Sequence, residues 1–282
     1  MKKIELVKGI SSSVLGFGCA PILGSVGEKT ALRALECALD CGINHFDLAR
    51  SYGYGDAEHF VGKVIKNKRS DVVLASKFGI TANWKAQALK PAKPILRYVL
   101  GKLKGNNTGK PVQAVNTGAA VADRFHDRLP ITSDTMRSSL EKSLKALGTD
   151  YLEYFFVHEP LHTIADIDEL AATAQLLKKE GKIRAWGLAF MRSQQHLHQA
   201  YLDNFDVLQF DNSPGVPGYD DIVADRGKKA NVIFSPLRGG SPALKPAEKL
   251  NKLFDDFPRS VILCSMFNEQ HLRENAALLN EK

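Results

Sequence analysis

The stretch GINHFDLARSYGYGDAEHFVGKVI, residues 42–65, sets the pattern from which the fold can be predicted. Its first part has the apolar and aromatic content of a buried strand, and its last third has the spacing of an amphipathic helix. An acid, Asp47, stands at the end of the strand, and Tyr52 lies just beyond it in a glycine-flanked loop. A buried carboxylate lowers stability unless it is paired, so we expect another part of the chain to supply a partner for Asp47.

The pattern of a short apolar strand followed by an amphipathic helix occurs eight times along the chain. Apolar strands that alternate with helices indicate a parallel sheet with helices on its faces. The predicted strands cover residues 14–19, 44–49, 72–77, 152–158, 183–189, 206–211, 231–236 and 260–265. The predicted helices cover residues 28–40, 57–68, 133–147, 166–180, 193–203, 219–229, 246–256 and 269–279.

Eight such units in 282 residues favour the α/β class and a (β/α)8 TIM barrel that forms a single domain over residues 1–282. An open eight-stranded sheet is the alternative that the pattern leaves. The leading stretch KIELVKGI, residues 3–10, predicts an N-terminal β-hairpin across the bottom of the barrel.

Composition excludes several classes of protein. No apolar run reaches the roughly 18 residues that a membrane-spanning helix needs, and the N-terminus lacks the continuous apolar core of a signal peptide. The four cysteines do not have the spacing of a metal site. We therefore expect a cytoplasmic protein with reduced thiols, no metal and no membrane partner.

The positive charge of the chain is concentrated in residues 81–130. This segment holds nine Lys or Arg and two acids, and that excess equals the net charge of +7 of the whole chain. Its length far exceeds the usual connection of a few residues, and it follows the third strand on the face where a barrel binds its ligand. We predict that this insertion is a lid over the substrate site, with a surface insertion of no chemical role as the alternative. It lacks the interleaved aromatic residues of a nucleic-acid site, so no nucleic acid is expected.

Polar residues stand at equivalent places on three neighbouring predicted strands. The second strand ends in Asp47, the third in Lys77 and the fourth in His158. Polar side chains at the carboxyl ends of barrel strands face the ligand. Singly each residue has a structural explanation, but together they indicate an active site in which Lys77 pairs with Asp47.

A tyrosine beside a lysine has a specific chemical use. An ammonium group favours the phenolate and lowers the pKa of the phenol, which makes Tyr52 a better general acid near neutral pH. Asp47 would hold Lys77 charged and in place, and His158 could orient a substrate carbonyl by donating a hydrogen bond. This set suits the reduction of a carbonyl, in which the proton and the hydride come from different sources. It contains no nucleophile with an adjacent base.

The chain resembles the aldo-keto reductase superfamily along nearly its whole length. Residues 42–65 resemble the family block GxNxFDTAxxYGxGxxExxxGxxL, and SLEKSLKALGTDYLEYFFVHEP (139–160) matches the helix and strand that lead to the family's histidine. VVLASKFG, KKEGKIRAWGLAF and VIFSPLRGG are similar to three further blocks. The resemblance implies an Asp–Tyr–Lys–His tetrad at Asp47, Tyr52, Lys77 and His158. It also implies hydride delivery from NADPH, with NADH possible, bound across the barrel mouth.

The resemblance also implies a set of cofactor-binding residues. Gln209 matches the glutamine that binds the nicotinamide carboxamide, and Phe234 stands where the family has an aromatic residue stacked on that ring. The residues after Phe234 fit the loop along the pyrophosphate, and Glu274 with Asn275 match the pair at the adenine end. The full predicted set is Gly18, Cys19, Asp47, Gln209, Phe234, Ser235, Pro236, Leu237, Arg238, Gly240, Ser265, Arg273, Glu274 and Asn275.

Two departures from the family pattern affect the cofactor. The family motif GxSNF supplies Ser and Asn to the carboxamide, but this chain has Ala189 and Phe190 there. At the eighth strand the family's usual phosphate-binding turn is replaced by LCSMFNEQHLREN (263–275). In this segment Ser265 and Arg273 are the candidates to bind the phosphate instead. His271 stands where family members with a longer C-terminal tail carry an arginine. These departures leave the preference between NADPH and NADH open.

The sequence thus predicts an NAD(P)H-dependent oxidoreductase that reduces an aldehyde or ketone to an alcohol, with Tyr52 as the proton donor. A nicotinamide-binding sensor or accessory subunit with little turnover is the alternative, because of the departures at Ala189 and Phe190. The expected partner is a small carbonyl substrate. The sequence does not indicate which carbonyl is reduced or the oligomeric state.

Overall fold

A closed barrel of eight parallel strands forms the centre of the protein. The computed structural model describes residues 1–88 and 124–279. The strands are β1 Lys3–Val7, β2 Ile10–Ser13, β3 Leu15–Gly18, β4 His45–Asp47, β5 Val73–Phe78, β6 Ile80–Ala82, β7 His126–Arg128, β8 Leu152–His158, β9 Ile183–Phe190, β10 Val207–Asp211, β11 Asn231–Phe234 and β12 Ser260–Cys264. The barrel is formed in the order β3, β4, β5, β8, β9, β10, β11 and β12, and β12 pairs back with β3. The predicted (β/α)8 barrel is confirmed, and the open sheet is excluded.

Helices surround the barrel at the positions that the sequence pattern predicts, and a further short helix at Trp84–Ala88 was not predicted. Thr132 caps the helix at Ser133–Leu147 by accepting a hydrogen bond from the Thr135 amide, and Gly148 ends this helix in the left-handed conformation. The helices are α1 Glu28–Asp40, α2 Ala57–Ile65, α3 Trp84–Ala88, α4 Ser133–Leu147, α5 Ile167–Lys179, α6 Gln195–His198, α7 Tyr219–Arg226, α8 Pro246–Asp256 and α9 Glu269–Ala277.

The helix predicted over 193–203 is only partly correct. The α-helical part is α6, and 3-10 turns at Arg192–Gln194 and Gln199–Asn204 flank it. Tyr201 leaves the helical conformation with φ −137°. Its hydroxyl accepts a hydrogen bond from the Ile164 amide at 2.9 Å, a tertiary contact that the local sequence does not reveal.

The hairpin β1–β2 closes the bottom of the barrel, as predicted. Its strands pair antiparallel, and Leu6 and Ile10 are buried in one apolar cluster with Val73 and Val261 of the barrel strands. The Ser13 amide donates to Asn44 Oδ1 at 2.6 Å, just before β4 begins. The lower barrel is therefore filled mainly by apolar side chains, with His45 and Ser12 buried there in contact with each other at 3.2 Å. The carboxyl ends of the strands are the place for ligand-facing polar groups.

Close packing inside the barrel explains one glycine in particular. A Cβ atom on Gly187 would lie 2.4 Å from the ring of Phe156 on the adjacent strand. The large ring therefore occupies the space that a side chain on β9 would need.

A second hairpin, β6–β7, stands at the mouth of the barrel directly after β5. Ile80 pairs with Arg128 and Ala82 with His126. These strands are the two described ends of the insertion predicted over 81–130. Residues 89–123 lie outside the described part of the chain, so the lid stays a prediction.

No helix in residues 1–88 and 124–279 is long and apolar enough to cross a membrane.

Candidate active site

The carboxyl ends of β4 and β5 bring Asp47 and Lys77 into direct contact. Lys77 Nζ donates hydrogen bonds to Asp47 Oδ2 at 2.6 Å and to the Leu48 carbonyl at 2.8 Å. The same nitrogen lies 3.2 Å from the hydroxyl oxygen of Tyr52. The carboxylate thus has the partner that its burial requires, and the ammonium contacts the phenol at the same time.

The loop that carries Tyr52 turns sharply after β4. Gly53, Tyr54 and Gly55 have φ angles of +61°, +59° and +89°, all in the left-handed region. A Cβ atom on Gly53 would lie 2.6 Å from the Ile22 carbonyl oxygen, so only glycine fits there. This turn directs the phenol of Tyr52 toward the barrel mouth.

A buried carboxylate that sequence reasoning missed anchors this loop. Glu58, at the start of α2, forms an ion pair with Arg50 and accepts a hydrogen bond from Ser76 Oγ at 2.6 Å. Arg50 precedes Tyr52 by two residues, and Ser76 is adjacent to Lys77. Glu58 therefore connects the tyrosine loop to the lysine strand. An arginine and an acid flank the glycine loop in the sequence, but their spacing does not indicate that they pair.

His158 faces Tyr52 across the mouth. The two ring centroids lie 6.0 Å apart with their planes at 82°. His158 Nδ1 is buried and has no hydrogen-bond partner among the described residues. The next residue, Glu159, has φ +43°, which is uncommon for a residue with a side chain.

Burial controls the protonation of the tyrosine and the histidine. Burial raises the pKa of Tyr52 to about 12, although the positive charge of Lys77 opposes this rise. The expectation that Lys77 brings the pKa of Tyr52 toward neutral pH is therefore wrong in its net direction, because desolvation outweighs the ammonium. Burial and the charge of Lys77 hold the pKa of His158 well below its ordinary value, so its imidazole is neutral.

Burial alone would lower the pKa of Lys77, but the charge of Asp47 and the neighbouring Tyr52 raise it above its ordinary value. The lysine is therefore charged and the tyrosine protonated at neutral pH.

A cavity of about 580 Å³ opens at this mouth and extends over the ends of β11 and β12 to the start of α9. All four tetrad residues line it, and so do most of the predicted cofactor residues. Those in the lining are Gly18, Asp47, Gln209, Phe234, Ser235, Pro236, Leu237, Arg238, Ser265 and Asn275.

Four residues predicted for the cofactor do not line the cavity. Cys19 is fully buried, with its thiol against the Phe17 carbonyl. Gly240 packs so closely that a Cβ atom would lie 2.2 Å from the Pro214 carbonyl oxygen. The other two, Arg273 and Glu274, are exposed on α9.

Residues just after β12 line the cavity in addition to the predicted set, among them His271, which stands at the family's arginine position. Asn268 caps α9 by accepting a hydrogen bond from the His271 amide, which places both residues at the cavity wall. Phe267 contributes an aromatic ring that packs edge-on against Phe17, with the centroids 5.2 Å apart. An asparagine before a helix is the usual cap signal, but the sequence did not show that this cap borders the cavity. Met266 also lines it.

In the motif GLAFM (187–191), the side chains of Ala189 and Phe190 lie on opposite sides of β9. Ala189 pairs in register with His158 and lines the cavity. Phe190 is buried on the other side of β9, where its ring lies 6.0 Å from that of Phe210. Only the first of these positions can therefore offer a side chain to a ligand in the cavity.

The residues that line the cavity fit an extended dinucleotide. Gln209 donates to Asp47 Oδ1 at 2.9 Å, and its Oε1 is buried without a partner in the described residues, which leaves an acceptor for an amide donor. A Cβ atom on Gly18 would lie 2.9 Å from Ser265 Oγ, so bare backbone forms the wall there. Arg238 supplies a cation for a phosphate. Within the described ranges no cluster of His, Cys, Asp or Glu is placed to hold a metal ion.

The sequence model of the aldo/keto reductase family matches residues 14–210. This match covers more than half of the chain, which therefore belongs to that family. The chain is 31% identical over 193 residues to aldo-keto reductase YhdN of Bacillus subtilis, a match of 66% of this chain and 46% of that protein. It is 29% identical over 221 residues to the NADH-specific methylglyoxal reductase of Escherichia coli, covering 74% of this chain and 58% of that enzyme. The chain spans about half the length of the curated relatives that it matches.

Solved structures share the fold. An aldo-keto reductase from Bacillus halodurans in its holo form aligns with a TM-score of 0.68 and 23% identity, covering 99% of this chain and 91% of that one. An aldo-keto reductase from Klebsiella pneumoniae in complex with NADPH aligns with a TM-score of 0.67 and 18% identity, covering 99% and 89%.

Proposed function

We propose that the protein is an NAD(P)H-dependent oxidoreductase that reduces an aldehyde or ketone to an alcohol. One observation carries the proposal: the hydroxyl of Tyr52 lies 3.2 Å from the ammonium of Lys77, beside His158, at the mouth of a cavity suited to a dinucleotide. Membership of the aldo/keto reductase family supports it. The proposed unit is a single barrel domain over residues 1–282.

Each residue of the tetrad has a proposed role that follows from its surroundings. Tyr52 is the general acid that donates a proton to the carbonyl oxygen. Lys77 stays charged and stabilises the phenolate that remains after proton transfer. Asp47 holds Lys77 by the 2.6 Å contact, so the ammonium keeps its charge and its position. His158 is neutral and orients the carbonyl oxygen toward the phenol.

The cofactor is proposed to be NADPH, with NADH as the second possibility. When bound, the nicotinamide ring supplies hydride to the carbonyl carbon. Gln209 would accept from the carboxamide, Phe234 would lie against the ring, and Arg238 would hold a phosphate. One relative is named as NADH-specific, and one structural neighbour contains NADPH, so both cofactors occur among similar proteins.

The half-buried proton donor lies against a cation, and this arrangement favours catalysis over simple cofactor binding. A sensor or accessory subunit would need only the dinucleotide contacts. The loss of side-chain hydrogen bonds at Ala189 and Phe190 is the observation that favours such a subunit, since each bond contributes about 0.5–1.5 kcal/mol.

The test combines binding with turnover. NADPH and NADH are titrated separately by quenching of protein fluorescence. Oxidation of whichever cofactor binds is then followed at 340 nm with a panel of small aldehydes and ketones. Turnover of at least one carbonyl is the expected result. Tight cofactor binding without turnover of any carbonyl would reject the reductase and favour the sensor.

A further inference from the structure

Arg128 connects the hairpin at the barrel mouth to the backbone next to His158. Its Nη1 donates a hydrogen bond to the Glu159 carbonyl oxygen at 2.7 Å. On the other side, the Glu159 amide donates to the Ala189 carbonyl at 2.7 Å. Both backbone groups of the residue after His158 are therefore held by neighbours.

This backbone needs such support because Glu159 is strained. Its φ of +43° is a conformation that residues with a side chain rarely adopt and that persists only when the surroundings enforce it. Glu159 lines the cavity and directly follows His158. A relaxation of Glu159 toward an ordinary conformation would turn the end of β8 and move the imidazole.

The hairpin that carries Arg128 is itself fixed at the mouth. The Leu129 amide donates to the Gly79 carbonyl at 2.8 Å, just beyond the lysine strand. Phe125 packs edge-on against Tyr54 in the tyrosine loop, with ring centroids 5.8 Å apart. Asn83 closes the hairpin with a hydrogen bond from its amide to the Phe125 carbonyl at 3.0 Å. The hairpin thus contacts the Tyr52 loop at one end and the His158 strand at the other.

We propose that Arg128 is a positioning residue for carbonyl reduction, which holds His158 in place through the carbonyl of Glu159. The inference rests on the proposed function, because it assigns His158 to the orientation of the substrate carbonyl. Arg128 acts through this backbone and does not touch the reacting atoms.

The charge of Arg128 has a second, measurable effect. Burial and Lys77 lower the pKa of His158, and the positive charges of Arg128 and His126 lower it further. Asp47, Tyr52 and Glu159 are the other titratable groups at this end of the cavity. Loss of the guanidinium therefore raises the pKa of His158, so the imidazole becomes protonated at a higher pH.

The experiment compares three variants of the full chain. Arg128→Met removes the donor and the charge, Arg128→Lys keeps the charge and one donor head group, and Arg124→Met is the matched control on the same segment. Each variant is measured for NADPH dissociation constant, for kcat and KM with 4-nitrobenzaldehyde, and for the pH dependence of kcat/KM.

Arg128→Met is expected to lower kcat by about 10- to 100-fold, the effect of a misplaced catalytic group. Its NADPH dissociation constant should stay within about twofold of the wild-type value, because Arg128 acts on His158 through the backbone and the variant removes no cofactor contact. The acid limb of its pH profile should move to higher pH. Arg128→Lys should recover part of kcat, and Arg124→Met should match the wild type in all measurements.

Two kinetic outcomes would overturn the inference. One is an Arg128→Met profile that coincides with that of Arg124→Met, and the other is a rise in KM with kcat unchanged, which would indicate direct contact with substrate. If the wild type reduces no carbonyl at all, the proposed function fails and the inference is judged by NMR titration of the histidine rings. In that case an unchanged His158 titration in Arg128→Met would overturn it.

Discussion

The ammonium of Lys77 lies 2.6 Å from the carboxylate of Asp47, and both side chains are almost completely buried, with exposures of 3% and 6%. Each charge is therefore stabilised mainly by the other, since water is excluded from the pair. The same ammonium contacts the Tyr52 hydroxyl, so this ion pair also sets the electrostatics of the proposed proton donor.

Asp47→Asn is expected to destabilise the fold by about 3–5 kcal/mol, because it leaves the charge of Lys77 buried without a counter-charge. The double variant Asp47→Asn/Lys77→Met removes both charges and should recover much of this loss. Urea unfolding of the two single variants, the double variant and the wild type gives the interaction free energy between Asp47 and Lys77. A double variant that is less stable than Asp47→Asn would contradict the prediction.

Tyr52→Phe is expected to lower the rate of carbonyl reduction by about 10²–10⁴-fold, the usual contribution of a general acid. Quenching of protein fluorescence by NADPH should remain, because the ring stays and only the hydroxyl is lost. Tyr54→Phe, two residues further along the same loop, is the control and should retain turnover. Wild-type turnover in Tyr52→Phe would reject the role of this tyrosine.

The fold could be predicted from sequence because its signals are local. The apolar strands, the cap at Thr132 and the helix end at Gly148 are each determined by a few neighbouring residues. The eight barrel strands follow one another in chain order because the parallel sheet closes into a barrel, whereas an open doubly wound sheet would permute that order. Only α6 falls well short of its predicted length, and it does so where Tyr201 makes a tertiary hydrogen bond.

The site was predictable where strand ends determine it, and less so where packing does. Asp47, Lys77 and His158 meet because parallel strands end at one face. The ion pair of Glu58 with Arg50 joins a loop to a helix, and no local pattern indicates it. The net pKa of Tyr52 depends on how deeply the phenol is buried, a quantity that composition and spacing do not contain.

The pH dependence of reduction is expected to extend far into the alkaline range. The proton donor must carry its proton, and burial raises the pKa of Tyr52 from 10.0 to about 12. The loss of kcat/KM with rising pH should therefore lie above pH 10. Rapid pH-jump kinetics measures this limb, with circular dichroism as the control for folding. A limb between pH 7 and about 9 would show that the donor titrates as a less buried group.

Glu58→Gln is expected to destabilise the fold by about 3–5 kcal/mol, because Arg50 loses its carboxylate in a place with little water. The Tyr52 loop should also loosen, so kcat should fall more than KM rises. Glu180→Gln removes a carboxylate from an exposed ion pair with Arg137 and serves as the control, with little effect expected. Equal stability of the two variants would show that Glu58 does not anchor the loop.

Ala189→Ser is expected to tighten NADPH binding. The position lines the cavity beside His158, and the family motif supplies a serine hydroxyl to the carboxamide there. One added hydrogen bond contributes about 0.5–1.5 kcal/mol, which corresponds to a roughly 2- to 12-fold lower dissociation constant.

Phe190→Asn restores the second family residue of that motif, but Phe190 is a buried ring packed near Phe210. Loss of this ring should cost about 3–5 kcal/mol of stability without tighter binding. Fluorescence titration and thermal unfolding of both single variants separate the two effects. If Ala189→Ser binds NADPH no more tightly than the wild type, the carboxamide does not lie against β9, and Gln209 alone would have to orient the ring.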